Sequence, residues 1–302
     1  MNKKPRPPSF ASIALMGNPR DPRALDAMRI LAPHLLQAGC AVKVSLGVRA
    51  GALPARAKRV AEDRLAVGVD LVVAIGGDGS MLYAARRIAG RKVPLLGINR
   101  GRLGFLTDVL PQNVAASVEA MLDGQCTTDR RQPLEARLHR AVEEPTRLLA
   151  LNDVVLLRRE AGHMLDFQTR VDGRYLNTHR GDGLVVATAT GSTAYALSCG
   201  GPIVDPRLDV LVMAPICPHT LSDRPIVVPG NSIIEVRAMG RSTGLAEVTC
   251  DGARLGDLRP GDRLEVSAAG GTITLLHPPG YDFFRLLRSK LRWGRGGEHQ
   301  ER

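Results

Sequence analysis

The stretch Leu71 to Ile75 is unbroken, apolar and valine-rich, and it ends abruptly in Gly76-Gly77-Asp78-Gly79-Ser80. A strand that never alternates is buried on both faces, which is the signature of a parallel sheet covered by helices. The glycines at its exit permit backbone angles closed to other residues and let a ligand approach the main chain. This pairing of strand and turn commits the N-terminal part of the chain to an open α/β sheet with a candidate ligand edge at the carboxyl ends of its strands.

The flanking pattern agrees. A short strand from Ser12 is followed by a predicted helix over Pro22 to Ala38, a strand at Ala41 to Ser45, a helix over Ser80 to Ala89, a strand at Val93 to Ile98 and a helix over Asn113 to Leu122. After about Gly124 the pattern turns to strands: Leu134 to Leu138, Arg147 to Leu157, Asp166 to Val171, Gly183 to Ala187, Ile233 to Arg237, Glu247 to Asp251, Arg263 to Ser267 and Thr272 to His277. Helical spacing returns at Phe283 to Trp293. The expected plan is an α/β domain over 1–126 and an all-β domain over 127–277, with the segment 278–302 packing back on the first. A chain of 302 residues accommodates two such cores.

Composition removes several classes. No apolar run approaches the roughly 18 residues that a membrane-spanning helix needs, and no secretory h-region follows the basic N-terminus, so a cytoplasmic protein without a membrane partner is expected. The five cysteines, Cys40, Cys126, Cys199, Cys217 and Cys250, are scattered and odd in number, which suits buried thiols better than a disulfide framework. The net charge of +11 comes mainly from arginine, but aromatics are only 3% of the chain and none interleave with the arginine doublets. A nucleic-acid platform is therefore not expected, and anionic small molecules are preferred as partners. The seven histidines lack ligand spacing, so no structural metal is assigned.

Gly76, Gly77, Gly79 and Ser80 form a candidate phosphate loop, where a helix start offers amides and a positive dipole. Asp78 is the odd residue there. A carboxylate beside phosphate acts as an acid–base group, holds a hydroxyl, or shares a divalent cation with the phosphates; the motif also reads as a plain Asp-Gly turn. Neither G-x-x-x-x-G-K-[ST] nor G-x-G-x-x-G is present, which disfavours a P-loop ATPase or an ordinary dinucleotide dehydrogenase. About a hundred residues on, Asp182-Gly183 leads into Thr190-Gly191-Ser192-Thr193-Ala194-Tyr195, a run of hydroxyls and one aromatic ring suited to ribose and amide groups, or else a loop stiffened by hydroxyl-to-backbone bonds. Asn152-Asp153 reads as a further polar grip or as a turn before a strand. Two glycine-rich signatures together suggest a bipartite site, one part for a phosphate donor and one for a polar acceptor, as in a small-molecule kinase.

In this order the motifs resemble those of the bacterial NAD kinase family. The likeness runs from Gly76 through Gly97-Ile98-Asn99 and Gly101-Arg102-Leu103-Gly104-Phe105-Leu106, then Asn152-Asp153, Asp182-Gly183, Thr190 to Tyr195, Pro218-His219-Thr220-Leu221 and His277-Pro278. The resemblance implies an α/β domain joined to a β-sandwich-like domain, a homodimer or homotetramer, and transfer of a phosphoryl group from ATP, or from polyphosphate, to NAD with a divalent cation such as Mg2+. It implies Asp78 as the catalytic carboxylate, and Asp78, Gly79, Asn152, Asp153, His163, Arg180, Asp182, Thr193, Ala194, Tyr195 and Ser198 as NAD-contacting positions. Asp153 and Ser80 depart from the family's commoner glutamate and threonine. A lipid kinase sharing the Gly-Gly-Asp-Gly loop, or a silent NAD(P)-binding regulator, are the alternatives.

Overall fold

The structure is a computed structural model that describes residues 10–101, 104–107, 109–110, 113–141, 143–159, 164–239 and 246–293. In chain order its elements begin β1 (Ser12–Gly17), α1 (Pro22–Gln37), β2 (Ala41–Ser45), β3 (Lys58–Val60), β4 (Leu71–Gly76), α2 (Asp78–Ile88), β5 (Leu95–Asn99), α3 (Val114–Leu122) and β6 (Thr127–Arg131). They continue as β7 (Leu134–His139), β8 (Thr146–Ala150), β9 (Asp153–Arg158), β10 (Leu165–Val171), β11 (Arg174–Gly181), β12 (Gly183–Thr188) and the short α4 (Tyr195–Ser198). The last are β13 (Val210–Ile216), β14 (Ile226–Pro229), β15 (Ile234–Ala238), β16 (Ala246–Cys250), β17 (Ala253–Leu258), β18 (Arg263–Ala268), β19 (Ile273–His277) and α5 (Phe283–Leu291).

The chain divides into two compact units, the described residues of Met1–Asp129 with Ile273–Arg302, and Arg130–Thr272. In the first, a seven-stranded sheet runs in the order β3-β2-β1-β4-β5-β19-β6, and every pairing from β3 through to β19 is parallel. All six residues of β4 and all five of β5 are buried, which is why neither strand alternates. Helix α1 starts at Pro22 behind Asp21, whose side chain accepts the Arg23 amide, and buries Ala24, Met28, Leu31, Ala32 and Leu35 in the core that lines the sheet. The chain leaves β1 toward β2 and β3, then returns to place β4 on the other side of β1. That reversal creates a switch point between β1 and β4, the usual ligand edge of such sheets.

The second unit packs two six-stranded sheets face to face. Their orders are β11-β10-β15-β18-β7-β8 and β14-β13-β12-β9-β16-β17, and all pairings within them are antiparallel. Leu134, Ala136, Phe167, Val236 and Val266 of one sheet share a core with Val154, Leu156, Val186, Met213 and Val248 of the other, so the arrangement is a β-sandwich. The second sheet is covered on its outer face as well, by Ala189, Ala196 and Val204, which explains the fully buried β12.

Several sequence expectations change. The predicted Arg147 to Leu157 strand is two strands in different sheets, because the chain turns at Leu151-Asn152 and crosses the sandwich. Strand β19, expected in the second domain, hydrogen-bonds to β5 through Leu275 and Leu276, so the return of the chain starts at 273 and not at 278. Helix α2 begins at Asp78, two residues ahead of expectation. The cysteines are free, as expected, but Cys217 is exposed.

Gly183 crosses closest to its neighbour strand, where an added Cβ would overlap the carbonyl of Leu156. Gly183→Ala is expected to destabilise the protein by roughly 2 kcal/mol or more, because backbone meets backbone there and neither can yield. Chemical denaturation measures this, and an unchanged midpoint would show that β9 and β12 part without cost.

Candidate active site

At the exit of β4 the chain has to turn sharply into α2. Gly77 adopts an extended conformation (φ −110°, ψ −166°), the Ser80 and Met81 amides both donate to its carbonyl, and Asp78 and Gly79 open the helix at its positive end. Ser80 folds over Gly76 so closely that a Cβ there would overlap its hydroxyl. Gly76, Gly77, Asp78, Gly79 and Ser80 therefore lie together in one turn beside the switch point.

Asp78 does not point freely outward. Its Oδ2 accepts the Phe105 amide at 2.9 Å and its Oδ1 accepts the Leu106 amide at 3.0 Å, with the Thr107 hydroxyl 3.4 Å from Oδ1. The donors come from the loop after β5, and the end of β5 shapes that loop. Buried Asn99 donates from its side-chain amide to Thr107 Oγ1 at 2.9 Å and accepts the Gly101 amide at 2.7 Å, while its backbone amide bonds the Val109 carbonyl at 2.8 Å. Two glycines make room. A Cβ on Gly104 would overlap Asp78 Oδ1, and one on Gly97 would press at 2.8 Å on the Leu106 carbonyl. Each carboxylate oxygen keeps acceptor capacity for a hydroxyl or a cation. Across the turn, Arg100 pairs with Asp21, which caps α1 at the exit of β1.

In the sandwich unit a second group of expected residues converges. Thr188 Oγ1 donates to the Leu151 carbonyl at 2.7 Å and accepts the Gly191 amide at 3.0 Å, which seats the 190–193 turn on Asn152. A Cβ on Gly191 would overlap the Asn152 carbonyl, so only glycine allows that seat. The Tyr195 backbone then bonds the Asp153 carboxylate. Thr193 and Ala194 are half-buried, Tyr195 is 38% exposed and Ser198 is exposed, so this segment presents a surface. Ser192, by contrast, is spent internally. Its hydroxyl donates to the Ala189 carbonyl at 2.7 Å and accepts the Val204 amide at 3.0 Å, with no solvent access.

Asp153 is only 7% exposed, and its carboxyl is pushed up to about 6, first by burial and then by the Asp251 charge, against a lowering bond from the Tyr195 backbone. The Tyr195 phenol is likewise raised, first by burial and then by Cys199, Cys217, Asp182 and Asp153, which places both carboxylates within electrostatic reach of that ring. Asp182 is the single residue between β11 and β12, at the corner where the chain changes sheets, and it pairs with Arg158 at 2.6 Å. Arg180 is two residues earlier, exposed, and lies 3.8 Å from Asp166. His163 lies outside the described residues.

Sequence reasoning missed Asp251. Its carboxylate accepts three backbone amides, from Leu151, Asn152 and Asp153. The sequence reading put it at the end of the expected Glu247 to Asp251 strand, and the only signal against that was the turn-prone pair Asp251-Gly252. It also assigned no role to Asn99 or to the amides of Phe105 and Leu106. Among the described residues no three acidic, histidine or cysteine side chains are grouped to hold a metal by themselves.

By fold and by these two edges, the molecule is of the class that joins a doubly wound α/β unit to an antiparallel β-sandwich. Residues 13–126 match the family domain described as ATP-NAD kinase N-terminal domain, and residues 151–277 match the ATP-NAD kinase C-terminal domain. The chain belongs to the NAD kinase family. It is 43% identical to the NAD kinase of Methylococcus capsulatus over 95% of this chain and 99% of that one, and 44% identical to that of Halorhodospira halophila over 95% of each. Among solved structures it resembles yeast NADH kinase complexed with NADH, with a TM-score of 0.87 and 25% identity over 97% of this chain and 90% of that one. It also resembles an NAD kinase from Archaeoglobus fulgidus in complex with ATP, with a TM-score of 0.71 and 26% identity over 93% and 98%.

The raised carboxyl of Asp153 has a stability consequence. Between the ordinary carboxylate value near 4 and about 6, the folded state holds a proton that the unfolded state has released, so stability falls as pH rises through that window. Asp153→Asn removes that penalty, worth about 2–3 kcal/mol at neutral pH, and should raise Tm at pH 7.5 but hardly at pH 4. Thermal melts at both pH values check this. A variant that melts lower than wild type at pH 7.5 would show that the buried charge is compensated.

Proposed function

We propose that this chain is an NAD kinase that transfers the terminal phosphoryl group of ATP to the 2′-hydroxyl of the adenosine ribose of NAD, giving NADP and ADP. The observation that carries the reading is the Asp78 carboxylate, fixed by the Phe105 and Leu106 amides at the start of α2 with acceptor capacity to spare. The ATP held by the Archaeoglobus relative and the NADH held by the yeast relative support a nucleotide donor and a dinucleotide acceptor. The names of the bacterial relatives support NAD itself.

In the reaction the ribose oxygen forms a bond to the γ-phosphorus, the bond from that phosphorus to the β,γ-bridging oxygen breaks, and the hydroxyl proton leaves. The transition state of such transfers is loose, so the proton departs late and the protein's task is to align the oxygens and to balance charge. Asp78 holds the hydroxyl through a lone pair that the loop amides leave free, and accepts its proton or directs it to solvent. The amides of Asp78 and Gly79 at the helix start, with Gly76 and Gly77 permitting close approach, receive the donor phosphates. Asn152 and Asp153 bind the polar edge of the adenosine, Tyr195 supplies a flat amphipathic face with Thr193, Ala194 and Ser198 around it, and Asp182, Arg180 and His163 complete the acceptor contacts.

A divalent cation such as Mg2+ fits this arrangement, because such ions are held by one or two carboxylates plus the phosphates of the substrate, and Asp78 is the carboxylate at the phosphate turn. When bound it would neutralise charge on the phosphates. Inorganic polyphosphate is an alternative donor to the same turn. We further assign the protein to the cytoplasm as a homodimer or homotetramer, a reading supported by its free thiols and by the exposed apolar side chains Tyr175, Leu176, Leu221 and Val227 on the sandwich unit.

Purified protein given ATP, Mg2+ and NAD is expected to form NADP, read by an NADP-specific dehydrogenase, whereas a lipid acceptor is not phosphorylated. Asp78→Asn should lower kcat by roughly 10²–10⁴-fold with little change in NAD binding, since the loss falls on the transition state. Tyr195→Ala should instead raise KM for NAD with kcat less affected. Wild-type turnover in the first variant, or an unchanged KM in the second, would contradict the assignment of that residue.

A further inference from the structure

Asp251 and Gly252 form the tight turn between β16 and β17, both with left-handed backbone (φ 46° and 74°), the geometry that two-residue hairpins favour. The turn alone is satisfied equally well by Asn-Gly or Gly-Gly. The aspartate does something more, because its Oδ2 accepts the Leu151 amide at 2.8 Å and its Oδ1 accepts the amides of Asn152 at 2.9 Å and Asp153 at 3.2 Å. Its own amide donates to the Asp153 carbonyl at 3.0 Å. Four backbone groups of residues 151–153 are thus tied to one turn residue about a hundred positions away.

Those three residues are where the chain leaves β8 for β9 and changes sheets. A carboxylate is a costly choice there, because its charge raises the neighbouring buried Asp153. We infer that Asp251 is a positioning residue of the acceptor site, holding the backbone of Asn152 and Asp153 in the conformation that presents their side chains to the dinucleotide. The inference rests on the NAD kinase reading and deepens it. The charged and titratable groups bearing on Asp153 are Asp251 from the β16–β17 turn, and Tyr195 and Cys199 from α4 and its end; Asp182 reaches the same tyrosine.

Asp251→Asn in the full-length protein tests this. An asparagine offers one carbonyl oxygen where two carboxylate oxygens serve three amides, so one N–H faces an NH2 group. At pH 8 the variant should raise KM for NAD about tenfold, while KM for ATP and kcat stay within about twofold. In wild type, a group titrating near 6 that binds NAD in its ionised form makes KM for NAD rise about fourfold from pH 8 to pH 5.5. Removing the Asp251 charge takes away the smaller of the two causes that raise Asp153 and leaves burial in place, so in Asp251→Asn the rise should be shallower than in wild type. Asp251→Glu, which keeps the charge but moves the oxygens by one methylene, should raise KM for NAD and retain the acid rise, and it serves if the asparagine variant does not fold. Gly252→Ala strains the same turn without touching the carboxylate, and should lower Tm with KM unchanged.

A wild-type KM and a wild-type pH profile in Asp251→Asn, with only Tm altered, would overturn the inference and reduce Asp251 to a turn former. Absence of NADP formation by the wild-type protein would instead overturn the kinase reading itself.

Discussion

The bonds from the Phe105 and Leu106 amides to the Asp78 carboxylate are the constraint on which the first unit's chemistry depends. Hydrogen bonds to a charged acceptor contribute about 1.5–3 kcal/mol each, so swinging the carboxylate away would cost several kcal/mol. The side chain is thereby held in one orientation before any ligand arrives. Much of the surrounding structure serves that orientation. Asn99 shapes the loop, Gly97 and Gly104 admit it, and the fully buried β4 and β5 place its two ends side by side.

The sandwich unit repeats the device with a different aspartate. Asp251 gathers the amides of 151–153 much as Asp78 gathers those of 105 and 106, although the direction of use is reversed. In the first unit the loop fixes the acid. In the second the acid fixes the loop, and the neighbouring Asp153 carries the electrostatic cost as a carboxyl raised to about 6. An amide in place of Asp153 would relieve that cost, so stability and the proposed substrate recognition pull in opposite directions at that residue.

Much of this was legible in the sequence where one physical signal dominated. The unbroken apolar run before Gly76 announced a doubly buried parallel strand, because burial on both faces removes the alternation. Asp78, Asn152, Asp153 and Tyr195 were marked by motif order. What stayed hidden depends on long-range contacts. Nothing local in Thr272 to His277 says that it pairs with β5 and not with the sandwich, and the run Arg147 to Leu157 conceals a change of sheets at Leu151-Asn152. Asp251 was read as the end of a strand, and nothing local marks its role, because the amides it accepts are a hundred positions away. The hydroxyl of Ser192 looked available for a ligand, yet the Ala189 carbonyl and Val204 amide consume it.

The central claim is that the loop-held carboxylate of Asp78 receives the sugar hydroxyl that becomes phosphorylated. A crystal structure of the protein with NAD bound measures it directly, as the distance from the Asp78 carboxylate to the adenosine 2′-oxygen. The account predicts hydrogen-bond distance, about 2.6–3.2 Å, with the Phe105 and Leu106 bonds intact. A dinucleotide bound with that oxygen well beyond reach of Asp78, even through one bridging water, would contradict it.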